Sequence, residues 1–239
     1  MKYHIDIVLA ICLVFLACFS FAAGYLLNVV DGEQVTVMAA QPDLDIIEAS
    51  AEIPITAIDV EGNGSVSFLT VEIVEGKGRI LVSINDVLAG TDTQQSAIVA
   101  TWAAEYYLGV DFSNKDIIYT IRSDAALLSG PSAGAAMATA LILVAENIPI
   151  RSDAMITGTI STDGTIGFVD GIVAKATAAQ EYGAELFLVP KGQASQVVCD
   201  HSTFFGYCED VSIEEQAGIE VEEVSNLAEA MEYFYQINL

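Results

Sequence analysis

The sequence predicts a mixed α/β domain, of the α+β kind, carried behind a single N-terminal transmembrane helix. Three observations lead there. Two runs of period-two alternation, residues 53–60 and 65–74, open the domain as strands. Stretches with helical spacing are interleaved with later strands. Residues 7–30 contain no Asp, Glu, Lys or Arg. The organisation expected is a tail and anchor over residues 1–30, a linker of acids, Gly and Gln over 31–50, and one domain over 51–239.

A helix spanning residues 7–30 rises about 36 Å, enough to cross the roughly 30 Å of bilayer hydrocarbon. Ser20 and Ala22 would suit a signal-peptide cleavage site. The run nevertheless outlasts the roughly 7–15 apolar residues of a signal peptide. An uncleaved single-pass anchor in the cell membrane is the first expectation, and a processed, secreted chain the second. Lys2 precedes the run and the next cation after it is Lys77. Basic residues favour the cytoplasmic side, so the domain is expected outside.

After the two opening strands, Gly76-Lys77-Gly78 marks a turn and residues 79–84 a third strand. Residues 91–108 read as a helix, with Asp92 or Thr93 as its cap and Ile98, Trp102 and Tyr106 at helical spacing. Residues 116–122 return to strand. Gly130-Pro131 opens a second helix over 132–146, rich in Ala and Leu. Short β runs broken by Gly158, Gly164 and Gly167 follow, with Asp163-Gly164 as a hairpin turn. Residues 171–182 are helical and 185–190 a strand. A loop then carries Cys199 and Cys208, before a strand at 221–224 and a helix at 226–235.

The charge balance excludes one class of function. Eight Lys and Arg residues against a net charge of −25 leave no basic stripe to bind nucleic acid. Glu61-Gly62-Asn63-Gly64 and Glu75-Gly76-Lys77-Gly78 lack the Gly-Lys-Ser/Thr ending of a phosphate-binding loop. No ATP binding by this chain and no other cofactor is expected. His201 lies near Cys199, but no second ligand pair has zinc spacing, so no metal site is expected. Cys199 and Cys208 read equally as a disulfide, in an oxidising compartment, or as two separate thiols.

Chemistry concentrates in two places. Gly130-Pro131-Ser132-Ala133-Gly134 puts a hydroxyl at the mouth of a helix. Free N–H groups there favour developing negative charge, and Gly130, Ser132 and Ala133 are the backbone donors in question. A plain helix cap would look the same. Lys175 is the second. Its neighbours three and four residues away, Gly171, Ile172, Ala178 and Ala179, are all small or apolar. Desolvation there lowers a lysine pKa, and a neutral amine can take a proton from serine. Neither histidine, His4 or His201, suggests a Ser–His–Asp alternative.

These residues resemble the proteolytic domain of Lon peptidases, from about residue 53 onward and most densely over 116–191. The pentapeptide around Ser132 matches that family's nucleophile motif, and the 43 residues to Lys175 fit its Ser–Lys spacing. Met155-Ile156-Thr157-Gly158 resembles the family's Thr-Gly step, which implies that Thr157 supports the lysine by a hydrogen bond. Asp170-Gly171 through Lys175, and Ala-Glu-Leu-Phe-Leu-Val-Pro at 184–190, resemble the segments that follow. The chain departs from the pattern at Ser129, where an acid is common, at Thr159, where Glu is usual, and at Asp170, in place of glycine.

The resemblance implies an endopeptidase acting on unfolded or accessible polypeptides through a Ser132–Lys175 dyad, without ATP. It is similar to a class of archaeal membrane-associated or secreted Lon-like proteases. It also implies a homo-oligomeric ring. The alternative function is a catalytically silent Lon-like domain acting as an anchored binding or scaffold module, which would require neither Ser132 nor Lys175.

Overall fold

The computed structural model describes residues 49–59, 61–83, 88–123, 127–128, 130–200 and 207–235. The apolar run at 7–30, most of the expected linker, and both histidines lie outside these residues. Among the described residues, no helix is long and apolar enough to cross a membrane.

Strands β1 (Ala49–Ile58) and β2 (Gly64–Glu75) form an antiparallel hairpin with Ala49 opposite Ile73 and Ile58 opposite Gly64. β1 starts earlier than expected and takes in Ala49 and Ser50 from the linker. The turn is organised by Asp59, whose Oδ1 accepts the N–H groups of Glu61 and Asn63, each at 2.8 Å. β5 (Lys115–Arg122) pairs antiparallel with β2 and parallel with β3 (Ile80–Ser83), giving the order β1-β2-β5-β3, while β4 (Leu88–Ala89) and β6 (Leu127–Leu128) form a short parallel pair of their own. The tight turn before β3 is held by Asp116. Its Oδ1 accepts Lys77 N–H at 2.8 Å and Arg79 N–H at 3.0 Å, while the Arg79 guanidinium grips Oδ2.

The two faces of β2 explain what packs where. Leu69, Val71 and Ile73 point to one side and belong to the main core with helix α2 (Gly134–Ala145). All twelve residues of α2 are buried, as expected of a helix that is apolar all round. It is clasped between the sheet and helix α1 (Thr91–Leu108). The helical spacing of Ile98, Trp102 and Tyr106 located α1, but that stripe is not its inner face. Ala97, Ala100, Ala103 and Ala104 are buried, whereas Trp102 and Tyr106 are 48% and 71% exposed. Small residues let the two helix backbones approach closely, which a Trp and Tyr face would prevent. Neither Asp92 nor Thr93 caps α1. Gly90 occupies that position and contributes no side-chain bond. Gly109, left-handed at φ 66°, ends the helix and donates its N–H to Glu105.

The opposite face of β2 carries Val66 and Phe68. Val66 joins a second core with helix α3 (Ile172–Tyr182), and the Phe68 ring meets Tyr182 edge-on at 5.9 Å. Gly64 sets this approach, since a Cβ there would stand 1.9 Å from the Ala174 carbonyl oxygen. A second, parallel sheet has the order β13-β10-β7, from β7 (Ala154–Ile156), β10 (Leu186–Pro190) and β13 (Glu220–Val224). Every residue of the central strand is buried, matching its unbroken apolar run. Helix α4 (Ile213–Ala217) contributes to the second core, and α5 (Leu227–Tyr235) to the first. The hairpin expected around Asp163-Gly164 is present as β8 (Thr159–Ile160) and β9 (Ile166–Gly167).

The segment expected to be a loop is instead a two-stranded ribbon. β11 (Ser195–Asp200) pairs antiparallel with β12 (Tyr207–Ser212). Val197 and Val198, successive residues on opposite faces, are 70% and 42% exposed. Neither of these two adjacent positions is buried, so the pair breaks any alternation. Cys199 stands opposite Cys208 in this ladder, and Cys208 is disulfide-bonded.

Candidate active site

Ser132 lies in a 3₁₀ turn (Pro131–Ala133) that leads into α2, one residue ahead of the α-helical cap. The turn is entered through Gly130 at φ 121°, a backbone conformation open to glycine. Pro131 fixes the first position of the turn, where its missing N–H is not required. Ser132 is half-buried.

The turn is stitched to the end of β7. The Ser132 carbonyl oxygen accepts the Gly158 N–H at 3.0 Å and the Thr157 hydroxyl at 3.4 Å. Ala135 N–H returns to the Gly158 carbonyl at 3.0 Å. Thr157, itself 1% exposed, donates its own N–H to Leu188 at 3.0 Å and so continues the β7–β10 pairing. The structure thus brings Ser132 and Thr157 together. Thr157 had been expected to bond to Lys175, but its hydroxyl proton goes to Ser132. The hydroxyl oxygen keeps acceptor capacity.

Lys175 sits on α3, one turn past Gly171, to whose carbonyl its N–H donates at 3.0 Å. Gly171 is left-handed at φ 65°, and a Cβ there would stand 1.9 Å from Ile58 Cδ1. Lys175 is 3% exposed among Ile172, Ala176, Ala178 and Ala179. Its amine has no hydrogen-bond or ion-pair partner among the described residues. Burial pushes its pKa down from 10.5 to about 8, with the carboxylate of Asp170 acting weakly in the other direction. No hydrogen bond joins Ser132 Oγ to Lys175 Nζ.

Gln193 is a participant that the sequence did not reveal. Its Oε1 accepts the Val169 N–H at 3.0 Å and its Nε2 donates to the Val169 carbonyl at 2.7 Å. That carboxamide pins the chain immediately before Asp170 and Gly171. The contact joins residues 24 apart, so local patterning could not show it. Among the described residues, no cluster of three or more His, Cys, Asp or Glu could hold a metal ion.

A mixed α/β domain that sets a serine hydroxyl at a helix mouth and buries a lysine amine on another helix carries two groups that a hydrolase could use. Residues 52–202 match the C-terminal proteolytic domain of Lon protease, and the chain belongs to that family. It is 31% identical over 131 residues to the Lon protease of Geobacter metallireducens, covering 54% of this chain and 16% of that protein. Similarity to the archaeal Lon protease of Methanocaldococcus jannaschii is 30% over 145 residues, covering 57% of this chain and 22% of that protein. The Lon protease of Rhizobium meliloti is 33% identical over 136 residues, covering 54% and 17%. The matched part of the chain thus spans only 16–22% of these relatives' length.

Proposed function

We propose that this chain is a serine endopeptidase, with Ser132 as nucleophile and Lys175 as general base. The observation that carries the reading is the largely buried amine of Lys175, without a hydrogen-bond or ion-pair partner among the described residues, whose pKa of about 8 leaves a usable neutral fraction near neutrality. Neutral Lys175 takes the proton of Ser132 as its oxygen attacks the scissile carbonyl. Backbone N–H groups of Ser132 and Ala133, with Gly130, stabilise the oxyanion. The lysine ammonium then gives its proton to the leaving amine, and water resolves the acyl-serine by the same route in reverse. Thr157 offers its hydroxyl oxygen to the ammonium while its proton stays on the Ser132 carbonyl.

The substrates proposed are unfolded or accessible polypeptide segments, cleaved without ATP. The uncharged run at 7–30 supports a single-pass anchor with the peptidase outside the membrane, or a secreted enzyme if it is cleaved. We read Cys199 and Cys208 as bonded to one another, which suits that compartment. Kinship with Lon suggests a homo-oligomeric ring.

Turnover of casein by wild type, Ser132→Ala and Lys175→Ala tests the dyad. The wild type should cleave and both variants should not. Equal cleavage by all three would overturn the assignment, and an inert wild type would favour the scaffold alternative.

A further inference from the structure

We infer that the cavity at the first turn of α3 is a subsite for a basic side chain, Lys or Arg, of the polypeptide substrate. The inference rests on the peptidase reading above and adds a preference to it. The cavity has a volume of about 470 Å³, room for a long side chain and its flanking backbone. Its apolar wall is Ile172, Val173 and Ile213, of which Ile172 and Ile213 are 7% and 1% exposed. Asp170, at its exposed rim, is the one charged residue among those lining it. An aliphatic wall ending in a solvated carboxylate matches a side chain that buries a hydrocarbon stem and keeps a cationic head in water.

The rim is set before any ligand arrives. Both polar atoms of the Gln193 carboxamide are committed to the Val169 backbone, directly before Asp170. A fixed rim lowers the ordering cost of binding. The positive end of α3 also faces this region and by itself would favour an anion. Its effective charge is about half a unit against the full unit of Asp170, so the carboxylate decides the sign. The net charge of −25 further favours approach of cationic segments.

The cavity and the proposed base share one helix: Gly171, Ile172, Val173 and Ala174 line the cavity, and Lys175 follows directly.

The test uses the full chain carrying Ser132→Ala, so that binding is read without turnover. A neutral decapeptide with one central Lys is compared with the same peptide carrying norleucine, by fluorescence anisotropy. The Lys peptide should bind roughly threefold to fivefold tighter, the scale of an exposed ion pair. Adding Asp170→Asn should abolish that ratio. Adding Glu181→Gln, which removes one charge from the exposed far end of the same helix, should preserve it. Equal binding of the two peptides, no binding of either, or a preference that survives Asp170→Asn would each overturn the subsite. Cleavage mapping with the active chain separates the two readings. If the Asp170-dependent preference is present but the chain cleaves nothing, the peptidase reading fails alone. Cleavage with no bias toward Lys or Arg removes the subsite alone.

Discussion

Gly158 donates its N–H to the carbonyl oxygen of Ser132 across 3.0 Å, locking the end of β7 to the turn that carries the proposed nucleophile. The Thr157 hydroxyl reaches the same oxygen at 3.4 Å. Thr157→Val should therefore leave the fold intact, because the Gly158 bond remains, while lowering kcat. Circular dichroism and casein turnover on the same preparation check the two halves of this expectation.

The pH profile follows from Lys175. As the proposed base it must be neutral, and its pKa lies at about 8. Activity should rise with pH through that value and level off above it. Lys175→Arg should lose about 10²–10⁴-fold, because a guanidinium does not deprotonate in this range. A rate independent of pH between 6 and 9 would argue against an amine as base.

The same burial makes Lys175 a stability cost. Its folded pKa of about 8 lies below the ordinary 10.5, so the unfolded chain binds the proton more tightly. The penalty is fully present below pH 8 and disappears as pH rises through 10.5. Lys175→Met should thus stabilise the inactive protein by on the order of 2–3 kcal/mol near pH 6. Urea denaturation at pH 6 and pH 10 should show this gain shrinking at the higher value.

Asp116 acts in the opposite pH direction. The Arg79 guanidinium, followed by the N–H groups of Lys77 and Arg79, holds its carboxyl well below the usual carboxylate range. Its contribution is present above the unfolded pKa of about 3.9 and is lost as pH falls below it. Asp116→Asn should lower Tm at pH 7, and its Tm should fall less than that of wild type between pH 5 and pH 2.

Gly64→Ala would place a Cβ 1.9 Å from the Ala174 carbonyl oxygen, a backbone atom that cannot swing aside. A loss of about 1–3 kcal/mol is expected, with reduced activity, because the displaced helix carries Lys175. Chemical denaturation and casein turnover would show both effects.

Much of this was legible in the sequence, for identifiable reasons. Ser132 stood out because Gly130-Pro131 places it at the start of a helix, whereas Thr157 was legible only through the resemblance to Lon peptidases. Lys175 announced itself by the small apolar residues around it. β2 alternates because Leu69, Val71 and Ile73 face the main core while Thr70, Glu72 and Val74, alternating with them, are less buried. What stayed hidden depends on distant partners or on absent burial. In the β11–β12 ribbon the adjacent Val197 and Val198 both face solvent, which broke the pattern that would have marked it. The outward turn of Trp102 is dictated by the alanine-lined contact with α2, not by anything within α1. The Gln193 clamp and the Arg79–Asp116 grip span 24 and 37 residues, beyond any window of local periodicity.

The complete enclosure of α2 has a consequence for how the protein fails. A helix with no solvent-facing residue opens only when the domain around it opens, so its amides should be the last to exchange with heavy water. Because Ser132 lies in the turn that leads into that helix, the proposed nucleophile is anchored beside the slowest-breathing part of the molecule. Heat should then abolish catalysis at the melting transition itself, with no earlier phase in which a folded domain has lost its reactive hydroxyl's alignment.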